Sequence, residues 1–272
     1  MKLFNMFRML LGLMVGAVIF LIMSPVFVLS TLTPWPIKSA PWLWGIVSHY
    51  TSHKIAGSGF HIEGKLPKIE AGELLVIYAN HPATIATSDF LYFVENHLRY
   101  KAVYVASETA NPFVLWPAKR LERALIIPDN NGAEAVELIR NRMQSVLSGS
   151  RVIIIFPDGH RWTRKRMDWQ MRNYRLRSHR WDVLPQILFA RSGGLWSILQ
   201  ALEGHDYRLI EVGNAMNYPA DAFLQIHERP TAFHVEAIEI PRDKIPQNRA
   251  DFNRWLNLRW LGMAQRIAGW RR

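Results

Sequence analysis

Two short runs, LLVIYA at residues 74–79 and VIIIF at 152–156, are apolar at nearly every consecutive position, and they constrain the fold more than any other feature of the chain. A strand with one wet face alternates apolar and polar residues, whereas a strand apolar throughout must be covered on both faces. Similar β-branched runs recur downstream and alternate with helical patterns, which is how an α/β layer fold is written in sequence. Strands are expected at Leu74–Ala79, Ala102–Ala106, Ala124–Ile127, Val152–Phe156, Leu184–Ala190, Leu209–Gly213 and Ala232–Ile240. The last of these alternates and reads as half exposed. Helices are expected at Ala133–Leu147, behind Asn130 or Asn131 as cap, at Leu195–Leu202, between Gly193-Gly194 and Gly204, and at Arg249–Gly269. The last helix carries Phe252, Trp255, Leu256, Trp260, Met263, Ala264 and Ile267 at helical spacing with arginines interspersed. That pattern suits packing on a core, or an amphipathic helix at a membrane interface. The expected fold class is therefore mixed α/β, a sheet of mostly inner strands flanked by helices.

From Met9 to Leu32 the chain is uncharged, longer than the roughly 20 residues that cross a hydrocarbon core. Pro25 interrupts this run, and TPWPIKSAPWLWGIV follows, rich in tryptophan that favours the headgroup level. A single membrane helix and a re-entrant helical hairpin both fit; the central position of Pro25 favours the hairpin. The organisation expected is a membrane element over residues 1–50 and an α/β domain over 51–272, hinged within Ser52–Gly64.

The net formal charge of +11 is concentrated. Between His160 and Trp181 lie eight Lys/Arg against a single acid, Asp168, which suits an anionic partner or a plain solvated face. The chain has no cysteine, which excludes disulfides, thiolate metal sites and a Cys nucleophile. No Gly-x-Ser-x-Gly elbow, Walker-type loop or His-Glu-x-x-His occurs, and the ten histidines are scattered, so no metal site is expected.

Chemistry in such sheets gathers where strands end at their carboxyl side. The first apolar run ends in Asn80-His81, with Asp89 beyond it, and the second ends in Pro157-Asp158-Gly159-His160-Arg161. Asn80 as a helix cap and His81 as a surface histidine would explain either turn alone; the two together point to a site.

The stretches NHPATIATSD and IFPDGHRW resemble the motifs of the membrane-bound glycerolipid acyltransferases, Asn-His, four residues, Asp, and later Phe-Pro-Glu-Gly-Thr-Arg. NPFVLWPAKRLERALIIPD stands in the place of that family's second block, and LPQILFARSGGLWSILQAL is similar to a stretch of the lysocardiolipin acyltransferase branch and its bacterial relatives. The resemblance implies an α/β domain on the cytosolic face of the inner membrane. It implies transfer of a fatty acyl chain from acyl-CoA or acyl carrier protein, as donor substrate and without further cofactor, to a hydroxyl of a lysophospholipid. His81 would be the general base and Asp89 the carboxylate that orients it. Asn80, Arg123, Asp158, Gly159, His160, Arg161 and Arg191 would contact substrate. The expected partners are membrane phospholipids and the acyl donor, not nucleic acid, because the basic stretch begins inside the third motif.

This chain departs from the family pattern in three places. Seven residues, not four, separate His81 from Asp89; in one straight helix that would hold the backbones roughly 12 Å apart. A loop through Pro82–Ile85 and a helix from Thr87 or Ser88 would let Asp89 fold back towards the imidazole. Asp129 stands where the family has an arginine, and Asp158 and His160 replace the glutamate and threonine of the third motif. The alternatives left open are a lipid-binding relative without activity and a lipid or thioester hydrolase.

Overall fold

A computed structural model describes residues 7–8, 10–12, 14–19, 21–22, 24–25, 46–47, 49–55, 57–70, 73–81, 87–98, 102–108, 119, 124–128, 132–148, 152–160, 163–173, 187–216 and 232–270. Seven strands form one sheet: β1 (Gly59–Glu63), β2 (Leu75–Ala79), β3 (Val103–Ser107), β4 (Ala124–Ile127), β5 (Val152–Ile155), β6 (Arg208–Met216) and β7 (Ala232–Ile240). Their order across the sheet is β1-β7-β6-β2-β5-β3-β4. All neighbours are parallel except β6 and β7. The two apolar runs, β2 and β5, lie side by side near the centre, with Leu75 opposite Val152 and Tyr78 opposite Ile155.

Side chains of a strand point alternately to the two faces, so these runs feed two cores. Val76, Tyr78, Ile153 and Ile155 join Ile139, Met143, Leu195, Ile198, Phe252 and Trp260 on one face. That face is covered by helices α2 (Gly132–Ser148), α4 (Ser192–Ala201) and α5 (Arg249–Gly269). Leu75, Ile77, Ala79, Val152 and Ile154 meet Phe90, Phe93 and Val94 on the other. There α1 (Thr87–Tyr92) runs into a π-helical turn, Phe93–His97. One further helix, α3 (Arg164–Asn173), follows β5. It is docked by Gln170, whose buried Oε1 accepts from the backbone N–H of Phe189 at 2.9 Å.

Helix α5 packs on the sheet and is not an interfacial helix. Phe252, Leu256, Trp260, Met263, Ala264 and Ile267 are buried, and Asn248 caps its start by accepting from the N–H of Asp251. The indole of Trp260 donates to the carbonyl of Leu188 at 2.8 Å. Glu211, fully buried on β6, accepts from Tyr78 Oη, from Arg259 Nε at 2.9 Å and from Arg266. Burial and the neighbouring Glu211 charge push the Tyr78 hydroxyl well above its ordinary range, so it remains a donor.

The sequence expectations hold for six strands within a few residues at each end. Two differ. Ile187–Ala190 is not a strand, and 184–186 lie outside the described residues; instead the segment leads into α4, the N–H of Arg191 donating to Pro157 O at 2.7 Å. The expected hinge is structured: Thr51–Ile55 forms a π-helical turn and Gly59–Glu63 pairs with β7 as the edge strand β1.

In the N-terminal region the described residues between 7 and 25 are helical, as are 46–47 and 49–55. Arg8 donates to the carbonyls of Lys54 and Ile55, and Gly16 faces Thr51, so the two helical stretches run antiparallel. Phe7, Met14, Val18, Leu21 and Ile22 are exposed. Antiparallel pairing is the arrangement of a hairpin, but no helix among the described residues is long and apolar enough to cross a membrane. Residues 26–45, where a hairpin would turn, lie outside the described residues.

Candidate active site

Because β2 and β5 are parallel neighbours, the turns that follow them open at the same edge of the sheet. The backbone N–H of His81 donates to Asp158 Oδ2 at 2.8 Å. The imidazole of His81 is half-buried and lies against Phe156, ring centroids 4.6 Å apart. Gly159 closes the second turn with φ +69°, its N–H donating to Phe156 O at 2.9 Å. This left-handed conformation is one that a residue with a Cβ adopts at a cost. Gly194, in the first turn of α4, approaches β5 so closely that an added Cβ would meet Ile155 Cδ1 at 2.8 Å.

Asp158 is buried to 1% exposure, and its Oδ1 has no hydrogen-bond partner among the described residues. Burial raises its carboxyl to about 8, against the opposing pull of the backbone N–H groups of His81, Asp158 and Gly159 and of the Arg191 charge. At neutral pH it is predominantly the uncharged acid. Asp158, expected to contact substrate, is almost fully buried and fixes the backbone of His81.

The side chain of Asn80 is likewise bonded within the protein. Its Nδ2 donates to Asn214 O at 2.8 Å and its Oδ1 accepts from the N–H of Asn214 at 2.8 Å. Asn214 Nδ2 in turn donates to Asn80 O at 2.7 Å. Both residues are buried. The amide of Asn80 is thus committed to tying the end of β2 to β6, and it is a positioning residue.

Asp89 begins where expected, in the first turn of α1, which starts at Thr87. Its carboxylate does not reach His81. Oδ1 lies 2.8 Å from His53 Nε2 and 3.5 Å from His49 Nδ1. Burial would raise the Asp89 carboxyl, but the close polar contacts with these two histidines and their charge leave it lowered. The reason is packing: Phe90, next in sequence, faces Phe156 at 5.6 Å, and that aromatic layer adjoins the His81 ring. Helix α1 is thereby held with Asp89 towards the N-terminal helical segment.

Among the remaining expected residues, His160 is half-buried beside Gly159 and Arg191 is exposed at the start of α4. Arg123, Asp129 and Arg161 lie outside the described residues. Sequence reading missed Asn214, which carries no local motif, and the pair His49 and His53. Their spacing of four on a helical stretch was the available signal.

No protein-family model matches the chain, and no curated protein shows significant sequence similarity to it. Among solved structures it is similar to the 1-acyl-sn-glycerophosphate (LPA) acyltransferase PlsC from Thermotoga maritima, with a TM-score of 0.56 and 13% identity. That match covers 97% of this chain and 98% of the other. The likeness runs along both chains and fixes the architecture: this protein has the mixed α/β fold of the PlsC acyltransferase.

Proposed function

We propose that the protein is an acyltransferase that moves a fatty acyl chain from acyl-CoA or acyl carrier protein to a free hydroxyl of a lysophospholipid. The observation that carries this reading is His81, held at the mouth formed by the parallel ends of β2 and β5 in a chain whose fold is PlsC-like throughout. In the reaction the imidazole of His81 takes the hydroxyl proton as the alcohol oxygen attacks the thioester carbonyl. The carbon–sulfur bond breaks, the new ester remains on the lipid, and the thiolate leaves with the proton. Asp158 keeps the His81 backbone in place, and Gly159 allows the acyl or headgroup atoms to approach the turn closely. Arg191 and Arg161 supply positive charge for phosphate groups of donor or acceptor.

The exposed apolar residues of the N-terminal helical segment and the basic helix α3 suit attachment to an anionic membrane surface. We place the domain on the cytosolic face of the inner membrane. A lipid-binding relative without turnover is the competing reading, favoured by the distance of Asp89 from the base it would have oriented.

The test is release of thiol from acyl-CoA and acyl-carrier thioesters by purified protein in detergent, with a panel of lysophospholipids. Acceptor-dependent release together with a diacyl product supports the reading. Thiol release that yields free fatty acid without ester identifies a hydrolase, and no release with any pair identifies the lipid-binding alternative.

A further inference from the structure

His49 and His53, on successive turns of the N-terminal helical stretch, and Asp89, on α1, bring three ligand atoms within 4.8 Å of one another. His53 Nδ1 lies 2.9 Å from the carbonyl oxygen of Ser58. A carbonyl only accepts, so Nδ1 carries the proton and Nε2 is the nitrogen turned to Asp89. Ligating histidines in metal sites are characteristically fixed in this way, one ring N–H on a carbonyl and the other nitrogen facing the ion. His49 Nδ1 is buried, 3.5 Å from the same carboxylate oxygen, and makes no hydrogen bond.

The rings are held by packing. His49 stacks on Tyr92 with centroids 3.6 Å apart and planes 5° from parallel, and both histidines meet the edge of Phe60. Side-chain exposure is 8% for His53, 7% for Asp89 and 20% for His49, so the cluster is largely shielded from solvent. A tetrahedral ion with bonds of about 2.0–2.2 Å holds neighbouring ligand atoms roughly 3.3–3.5 Å apart. The His49–Asp89 separation has that value already. The 2.8 Å between His53 and Asp89 would open by about 0.5 Å to admit the ion.

We propose that His49, His53 and Asp89 form a divalent transition-metal site of the zinc class, which clamps the N-terminal helical element to the α/β domain. Two imidazoles and one carboxylate suit zinc, whereas magnesium and calcium take predominantly oxygen ligands. The role is structural: Asp89 is bonded to His53, whereas the ring of His81 lies against Phe156. The proposal goes beyond the acyltransferase reading and stands without it.

Full-length protein in detergent, freed of metal by a chelator, is titrated with zinc sulfate and its melting followed. One ion per chain and a raised Tm are expected, because a ligand bound only by the folded state stabilises it. His49→Gln and His53→Gln should each lose that ion with an unchanged far-UV dichroism spectrum, while His205→Gln, on an exposed loop, should retain it. Zinc-edge X-ray absorption of the wild-type protein should show two imidazoles in the first shell, a readout that does not depend on any variant folding. No zinc bound by the wild type, the same ion retained by both variants, or a first shell without imidazole overturns the proposal. The three side chains would then be a hydrogen-bonded His53–Asp89 pair with His49 stacked beside it.

Discussion

The backbone N–H of His81 donates to a carboxyl oxygen of Asp158, a residue from the neighbouring strand that is itself almost entirely buried. This bond joins the two turns at the carboxyl ends of β2 and β5, and the position of the proposed base depends on it.

Asp158 makes that bond pH-dependent. Its carboxyl is raised from the ordinary 3.8 to about 8 in the folded chain. Below about pH 4 the acid is protonated whether folded or unfolded, and its contribution to stability is complete. Between about 4 and 8 only the folded chain keeps the proton, so stability falls as pH rises through that window and levels off above it. Urea unfolding across pH 4–9 should show this decline in the wild type. Asp158→Asn, which preserves an acceptor for the His81 N–H, should flatten it; an equal slope in both proteins would contradict the assignment.

The Asn80–Asn214 pair is a structural clamp. Truncating either residue leaves buried donors and acceptors unpaired, and each single alanine variant should lose about 1–3 kcal/mol of stability. The double variant should cost less than the two singles together, because the groups that each would orphan have gone. Strict additivity in a double-mutant cycle would show that the two amides act independently.

Glu211 anchors helix α5 through Arg259 and Arg266 and also accepts from Tyr78 of β2. Removing one member of a buried ionic network is costly, and since the two arginines are about one-third exposed the lower end of the range applies. Glu211→Ala should lower the unfolding free energy by about 3 kcal/mol, read from the urea midpoint. A change within 0.5 kcal/mol, about the size of a neutral surface substitution, would remove the network from the account.

Helix α3, which follows β5, exposes Lys165, Arg166 and Arg172. At about 1 kcal/mol for each basic residue near an anionic surface, replacing all three with glutamine should weaken binding to phosphatidylserine-containing vesicles by about 10²-fold at low salt. The difference should shrink as salt screens the charges. Unchanged partitioning would leave α3 as a solvated face.

The sheet was legible because β2 and β5 are apolar at every position, and only strands buried on both faces can be. The clustering of the two motif turns followed from parallel neighbours ending at one edge. Other features depended on packing that no local pattern encodes. Leu184–Ala190 reads as a strand by composition, yet within the described part Ile187, Leu188 and Phe189 are buried, Trp260 of α5 bonds to Leu188, and the sheet already has neighbours for β2 on both sides. β1 is short, with half-buried Phe60 and Ile62, and an edge strand of this kind leaves little periodic signal. Asp89 was correctly placed at the start of a helix. Its partner could not be read from spacing, because Phe90 packing against Phe156 decides which way the helix turns.

The central claim is that the imidazole of His81 is the base of an acyl transfer. It is tested most directly by comparing wild type and His81→Ala, both shown to be folded by their melting, for acyl transfer to whichever lysophospholipid the wild type accepts. A loss of about 10²–10⁴-fold in kcat is expected, the usual worth of a general base. A folded His81→Ala protein that turns over at the wild-type rate would contradict the account.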